Sequence, residues 1–150
     1  SYIDADKKPT TKTIYTTDEK GNILLSLSTN AKGEVVYKVE KKYDGNGNIL
    51  EAKEYFHGEE TPRNWSINKY DEDNLLIETI YLAENQDILT RKTFSYNKKK
   101  QKTEYWWHEG NGQLILKYEY RYDDHGNLVS ERFYDENQQL QRIVNHLYEY

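Results

Sequence analysis

Between Tyr37 and Tyr43 apolar and charged residues alternate, with Tyr37, Val39 and Tyr43 on one parity and Lys38, Glu40 and Lys42 on the other. Alternation at period two marks a strand with one covered face. The same pattern, bounded by turn residues, predicts strands over Thr11–Tyr15, Ile23–Leu27, Val35–Tyr43, Ile49–Phe56, Trp65–Tyr70, Leu75–Leu82, Ile88–Tyr96, Gln101–Trp107, Leu114–Tyr122, Leu128–Tyr134 and Leu140–Tyr150. The last segment also fits a helical stripe through Leu140, Ile143, Val144 and Leu147, but Tyr134 and Tyr148 hold a shared spacing that favours a strand. Gly58–Asn64 contains Pro62, which has no N–H for a ladder, and predicts a longer turn at the rim of the sheet. The predicted fold is all-β: a long antiparallel meander of about eleven strands in a single twisted or coiled sheet.

The connections are alike. Tyr122-Asp123-Asp124-His125-Gly126-Asn127-Leu128 reads as a strand end, a tight loop and a strand start. Its loop suits a type I turn closed by a residue of positive φ, which Gly126 adopts without steric cost. Tyr122 and Leu128 then face each other across the hairpin. Aromatic residues recur at the Tyr122 slot: Tyr15, Tyr43, Tyr70, Tyr96, Tyr122 and Tyr148. Thr29, Tyr55, Tyr81, Trp107 and Tyr134 form a second, interleaved series. Both series advance by about 26 residues, so the repeat holds two strands and two turns. Tyr43-Asp44-Gly45-Asn46-Gly47-Asn48-Ile49 matches the template closely, while Asp or Asn stands near the glycine position in the turns after Tyr70 and Tyr134. Those are the residues other than glycine that best tolerate the left-handed region.

Tyr-Asp-x-x-Gly-Asn-Leu resembles the YD repeat of Rhs-type bacterial wall and secreted proteins, over most of the chain from Tyr15 to Tyr148. The resemblance implies a long antiparallel sheet that winds into a spiral or shell, and a secreted, periplasmic or cell-surface location in a bacterium. It carries over no catalytic residues, because the repeats have none. The structural repeat positions it marks are Tyr43, Gly47, Tyr70, Tyr96, Trp107, Tyr122, Gly126, Leu128 and Tyr134.

If alternation holds throughout, both aromatic series share one face. The other face is mixed: Ile14, Lys42, Glu54, Lys69, Ile80, Trp106, Arg121, Phe133 and Leu147. An aromatic face needs cover, from the coiling of the sheet or from another chain. The length of 150 residues predicts one domain, with residues 1–11 as a loose lead-in. Hydrophobic residues make up 35% and charged residues 31%, which would suit disorder were the aromatic spacing not so regular. Fifteen tyrosines supply much of the available burial. There is no cysteine, so neither a disulfide framework nor a thiolate metal site can form. Apolar runs are too short for a helical membrane span. A net charge of −5 argues against nucleic acid. The sequence begins at Ser1 and lacks methionine, as after signal-peptide removal or at a chosen boundary.

Tyr105-Trp106-Trp107-His108 is the most unusual local feature. Trp107 fills the repeat slot, so Trp106 points the other way and, with Tyr105 and His108, forms a candidate platform for sugar rings. The competing reading is that Trp106 covers neighbouring side chains. Asp44-Gly45-Asn46-Gly47-Asn48 resembles the start of a calcium loop, but Ile49 and Tyr55 stand where glycine and glutamate belong, and turn chemistry explains it. His57, His108, His125 and His146 lack ligand spacing, which leaves no metal or cofactor to expect. Lys98, Lys99, Lys100 and Lys102 read as a solvated basic turn. No nucleophile motif is present, and the chain is expected not to be an enzyme. Two functions follow: a non-catalytic extracytoplasmic surface module that binds carbohydrate through exposed aromatics, or a structural module that docks protein, including a second copy, through its aromatic face or an open sheet edge.

Overall fold

The computed structural model describes residues 11–149. Of the expected lead-in, residues 1–10 lie outside the described residues, and Thr11 already belongs to a strand. Eleven strands follow in order: β1 (Thr11–Thr17), β2 (Ile23–Asn30), β3 (Val35–Tyr43), β4 (Ile49–Phe56), β5 (Asn64–Tyr70), β6 (Leu76–Leu82), β7 (Ile88–Tyr96), β8 (Lys102–Glu109), β9 (Leu114–Tyr122), β10 (Leu128–Tyr134) and β11 (Leu140–Asn145). They form one antiparallel sheet in sequence order, with no helix among the described residues. The last segment is a strand rather than a helix, but it stops at Asn145. By their contacts the residues group into two units, one reaching to Asn68 and including Tyr81–Asp87, the other made of Lys69–Ile80 and the residues from Ile88 on.

One loop builds nine of the ten hairpins among the described residues. Its leading residue is at 18, 30, 44, 71, 83, 97, 109, 123 or 135, and each exchanges the same two backbone bonds. In the loop at 123, Asp123 N–H donates to the Asn127 carbonyl and Gly126 N–H to the Asp123 carbonyl, both at 3.0 Å. The fourth residue has positive φ throughout: 92° at Gly126, but also 62° at Asn74, 69° at Gln86, 61° at Lys100 and 59° at Gln138. The turn chemistry therefore survives where glycine is lost, at a steric cost. Replacing Gln138 by Gly is expected to stabilise the fold by about 1 kcal/mol, measured as a rise in the urea midpoint at constant m-value.

The leading Asp or Asn explains the rest of the motif. Asp44 Oδ1 accepts from the N–H groups of Asn46 and Asn48, both at 2.9 Å, and Oδ2 from the Asn48 amide at 2.9 Å. Asp18 repeats the arrangement with Lys20 and Asn22. Asn97 does so with Lys99 and Gln101 through its side-chain oxygen. The Asp-x-x-Gly-Asn pattern is thus one carboxylate that satisfies the N–H groups the loop turns inward. Asp123 holds Asn127 in the same way, and Asp123→Ala should cost about 1–2 kcal/mol in chemical denaturation.

Tyrosines of the first series tie the end of their strand to the previous hairpin on the same rim. Tyr43 donates its hydroxyl to the Ile23 carbonyl, Tyr96 to Leu76, Tyr122 to Lys102 and Tyr148 to Leu128, at 2.8–3.2 Å and always 20 residues back. That carbonyl belongs to the residue just after the earlier loop. The 26-residue period is this stitch repeated. Lysines add to it: Lys20 Nζ donates to the Gly45 carbonyl and Lys99 Nζ to that of Asp124. Contacts of this kind link only neighbouring repeats, as in solenoid proteins.

The expected face assignment does not hold. Every hairpin with this loop whose register is defined skips one residue of its second strand, two places beyond the loop. Leu128 pairs with Tyr122, and Ser130, not Val129, pairs with Arg121. Such a bulge reverses the alternation from there on. In the second unit Tyr122 therefore shares a face with Tyr118, while Tyr134 lies opposite Lys117 on the other face. In the first, Tyr43 and Tyr55 are likewise separated, because Tyr55 pairs with Lys38. Trp107 pairs with Leu116 and so shares the face of Tyr122, not that of Tyr134. The two series therefore separate at Tyr43 and Tyr55 and at Tyr122 and Tyr134, while Trp107 of the second series stays on the face of Tyr122.

The sheet has almost no core. No described side chain falls below 2% exposure, and Tyr55 is the one hydrophobic residue that counts as buried, at 7%.

Candidate functional site

The face that carries Trp106 is built from cross-strand rows. In the second unit Thr93, Trp106, Lys117 and Tyr134 lie side by side on β7 to β10, next to Glu104 and Glu119. Lys117 sits between two rings, its ammonium 4.3 Å from the Trp106 ring centre and 5.4 Å from that of Tyr134. It pairs with Glu119 at 2.7 Å and Glu104 at 3.7 Å. Tyr134 donates its hydroxyl to Glu119 at 2.8 Å, and Trp106 Nε1 donates to Glu104 at 3.3 Å. The first unit holds the same device: Lys38 lies 3.7 Å over the Tyr55 ring and pairs with Glu40, which accepts the Tyr55 hydroxyl at 3.0 Å. Beside it, Lys53 lies over Trp65, whose Nε1 donates to Glu51.

These groups are charge-balanced, not poised for proton transfer. The Lys117 ammonium is disfavoured by burial, but Glu119 and Glu104 outweigh that and raise its pKa. Hydrogen bonding from Lys117 lowers the pKa of Glu119, and from Lys38 that of Glu40. Burial, reinforced by Glu40, pushes the Tyr55 phenol up to about 12. At neutral pH Lys117, Glu119, Glu40 and Tyr55 are thereby held in their ordinary ionisation states, the opposite of a general acid or base.

Among the candidate platform residues, Trp106 and His108 are brought together and Tyr105 is not. The Trp106 and His108 rings lie within 6° of parallel, 6.0 Å apart, on one face. Tyr105 points to the opposite face, where it stacks on Phe94 and approaches Tyr118, which in turn meets Phe133. Trp107 is on that face too, beneath Lys92, with its Nε1 buried and without an acceptor. The basic turn is tied down: Lys99 reaches the Asp124 carbonyl, and Lys100 pairs with Asp73 at 2.9 Å. Both Asp44 carboxylate oxygens are spent inside their own loop. His57 and His125 lie in turns, and His146 contacts Glu131 at 3.1 Å. No cluster of three or more metal-ligating side chains occurs among the described residues. Lys38, Glu40, Lys117 and Glu119 were not singled out in the sequence. Their signal is a Lys-x-Glu step recurring 79 residues apart, three repeats plus one residue.

No protein-family model matches the chain, and no curated protein sequence does. Solved structures do. The crystal structure of TcdB2-TccC3-TEV superposes with a TM-score of 0.69 at 18% identity, over 91% of this chain. That of TcdB2-TccC3-Cdc42 gives 0.64 at 18% over 85%, and TcdB2-TccC3 without its hypervariable C-terminal region 0.53 at 15% over 90%. The chain spans only 6%, 7% and 9% of those chains. At such identity the likeness is one of fold.

Proposed function

We propose that the chain is a non-catalytic structural module, a stretch of repeat sheet on which other polypeptide assembles, in a secreted, periplasmic or cell-surface bacterial protein. The observation that carries this reading is the sheet itself: eleven strands stitched to their neighbours with almost nothing buried, and aromatic rows on it half-exposed. A surface of this kind gains most by being covered with protein. The shared fold with short parts of far longer TcdB2-TccC3 chains is consistent with a building element. Sedimentation velocity from micromolar to near-millimolar concentration tests it, with concentration-dependent association as the expected outcome. A strict monomer at the highest concentration overturns the self-assembling form.

A second reading, glycan binding, is favoured by one observation: Trp106 and His108 present two nearly parallel, neighbouring rings. Sugar rings stack on such surfaces. Titration with cell-wall and host polysaccharides should then change tryptophan fluorescence in the parent but not in Trp106→Ala. No change with any polysaccharide removes this reading.

A further inference from the structure

A glutamate recurs about every 26 residues on β4, β6 and β8: Glu51, Glu78 and Glu104. Each one serves cations or an indole. Glu51 pairs with Lys42 at 2.6 Å and Lys53 at 3.3 Å, and accepts from Trp65 Nε1. Glu78 pairs with Lys69 and Arg91. Glu104 meets Lys117 and Trp106 Nε1. The next member of the series, on β10, is Ser130.

That exchange removes the acid and keeps its cations. Lys38, Glu40, Lys42, Lys53 and Tyr55 are answered 79 residues on by Lys117, Glu119, Arg121, Arg132 and Tyr134. The register places the two sets alike. Lys42 lies opposite Glu51 and Arg121 opposite Ser130, with Lys53 and Arg132 two residues further on the same face. Glu51 is thus held between two cations, whereas Ser130, 9% exposed and uncharged, can neutralise neither. Arg121 and Arg132 have no ion pair among the described residues, and Arg132 Nε is buried without an acceptor. Glu119 lies opposite Arg132 but is engaged by Lys117 at 2.7 Å and the Tyr134 hydroxyl at 2.8 Å. Arg121 is exposed and borders a cleft of about 510 Å³ that Lys98 and Lys99 also line. Asp123 lines it too, with its carboxylate oxygens accepting from Asn127 inside its own loop.

We infer that Arg121 and Arg132 together bind a carboxylate carried by another polypeptide, a glutamate or aspartate side chain, where Glu51 stands three repeats earlier. This rests on the assembly reading above and names the chemistry of its partner. Both lysines of the earlier set are arginine here, and a guanidinium fork matches a carboxylate with two parallel hydrogen bonds. Arg121 is exposed, so the contact weakens as ionic strength rises.

NMR titration of the arginine side-chain N–H signals at low salt tests it, with a short capped peptide that alternates threonine and glutamate as the probe. The Arg121 and Arg132 signals should move saturably. Those of Arg142, exposed on the opposite face, should not. The same peptide with glutamine for glutamate should move none of them. Arg121→Gln should weaken binding roughly tenfold, as for one lost hydrogen bond between charged groups. Lys42→Gln should leave it unchanged. Ser130→Glu should supply the carboxylate from within, abolish peptide binding and raise the urea midpoint; should it fail to fold, Arg121→Gln decides. Equal movement at Arg142, an equal response to the glutamine peptide, or full affinity in Arg121→Gln overturns the site. Polygalacturonate that moves the two arginines where the peptide does not overturns the polypeptide source. Self-association that persists in Arg121→Gln, with no peptide bound by the parent, leaves the assembly reading standing and removes this site from it. Peptide binding by a strictly monomeric chain keeps the site and removes the self-assembling form.

Discussion

Gly110→Ala is expected to destabilise the protein by about 3 kcal/mol or more, and Gly45→Ala to leave it unchanged or slightly more stable. Both glycines hold the second position of the same loop, and neither has positive φ. The difference is what lies beside them. A Cβ at Gly110 would fall inside the carbonyl oxygen of Ile88 and 2.7 Å from its carbon, both backbone atoms held in the sheet. The approach is close because Gly110 N–H donates to the Leu89 carbonyl at 2.8 Å, which ties this hairpin to the one before it on its rim. A methyl group there must break that stitch or move a strand. At Gly45 nothing lies within 4 Å of the added Cβ. Urea unfolding of the two variants beside the parent checks the contrast. Equal midpoints for both would mean that the two hairpins are not in backbone contact.

Tyr55→Ala should cost about 3–4 kcal/mol, the range of a large aromatic removed from a covered site. Tyr55 is the most covered hydrophobic residue of the sheet, and it lies under the Lys38 ammonium while donating to Glu40. Its loss removes ring burial and leaves Glu40 one donor short. Tyr55→Phe keeps the ring and should cost about 1 kcal/mol. A pH series separates the two contributions. The phenol pKa is raised in the folded state, from 10.0 to about 12, so the unfolded chain releases this proton first. The stability it supplies is complete below pH 10 and declines as pH rises from 10 toward 12. The parent should therefore lose stability over that window more steeply than Tyr55→Phe. Parallel curves would mean that the hydroxyl contributes nothing specific. Glu40 works at the other end: its pKa is lowered by Lys38, so its share is present at neutral pH and lost as pH falls through its folded value.

The glycines show how far sequence reaches. Gly47 and Gly126 are legible because a turn template demands positive φ at their position. Gly110 carries no such mark, since its reason is a carbonyl more than twenty residues away. The platform residues divide in the same manner. That Trp106 and Trp107 point to opposite faces follows from period two alone. That Tyr105 leaves Trp106 while His108 stays also follows, once each is placed by parity within β8. That Tyr134 joins Trp106 and abandons Tyr122 does not follow, because a bulge falls between them.

The sequence by itself determined the eleven strands, their antiparallel order, the loop chemistry and the period of about 26 residues. Each of these is local: alternation, an Asp that captures its own loop, and a residue able to hold positive φ. Tertiary structure decided which side chains share a face, because one skipped residue per hairpin inverts the alternation without any composition of its own. It also decided what the tyrosines do. The hydroxyls of Tyr43, Tyr96, Tyr122 and Tyr148 reach carbonyls 20 residues back and those of Tyr55 and Tyr134 reach carboxylates, contacts fixed by the spacing of strands in space and only echoed in the sequence as a period.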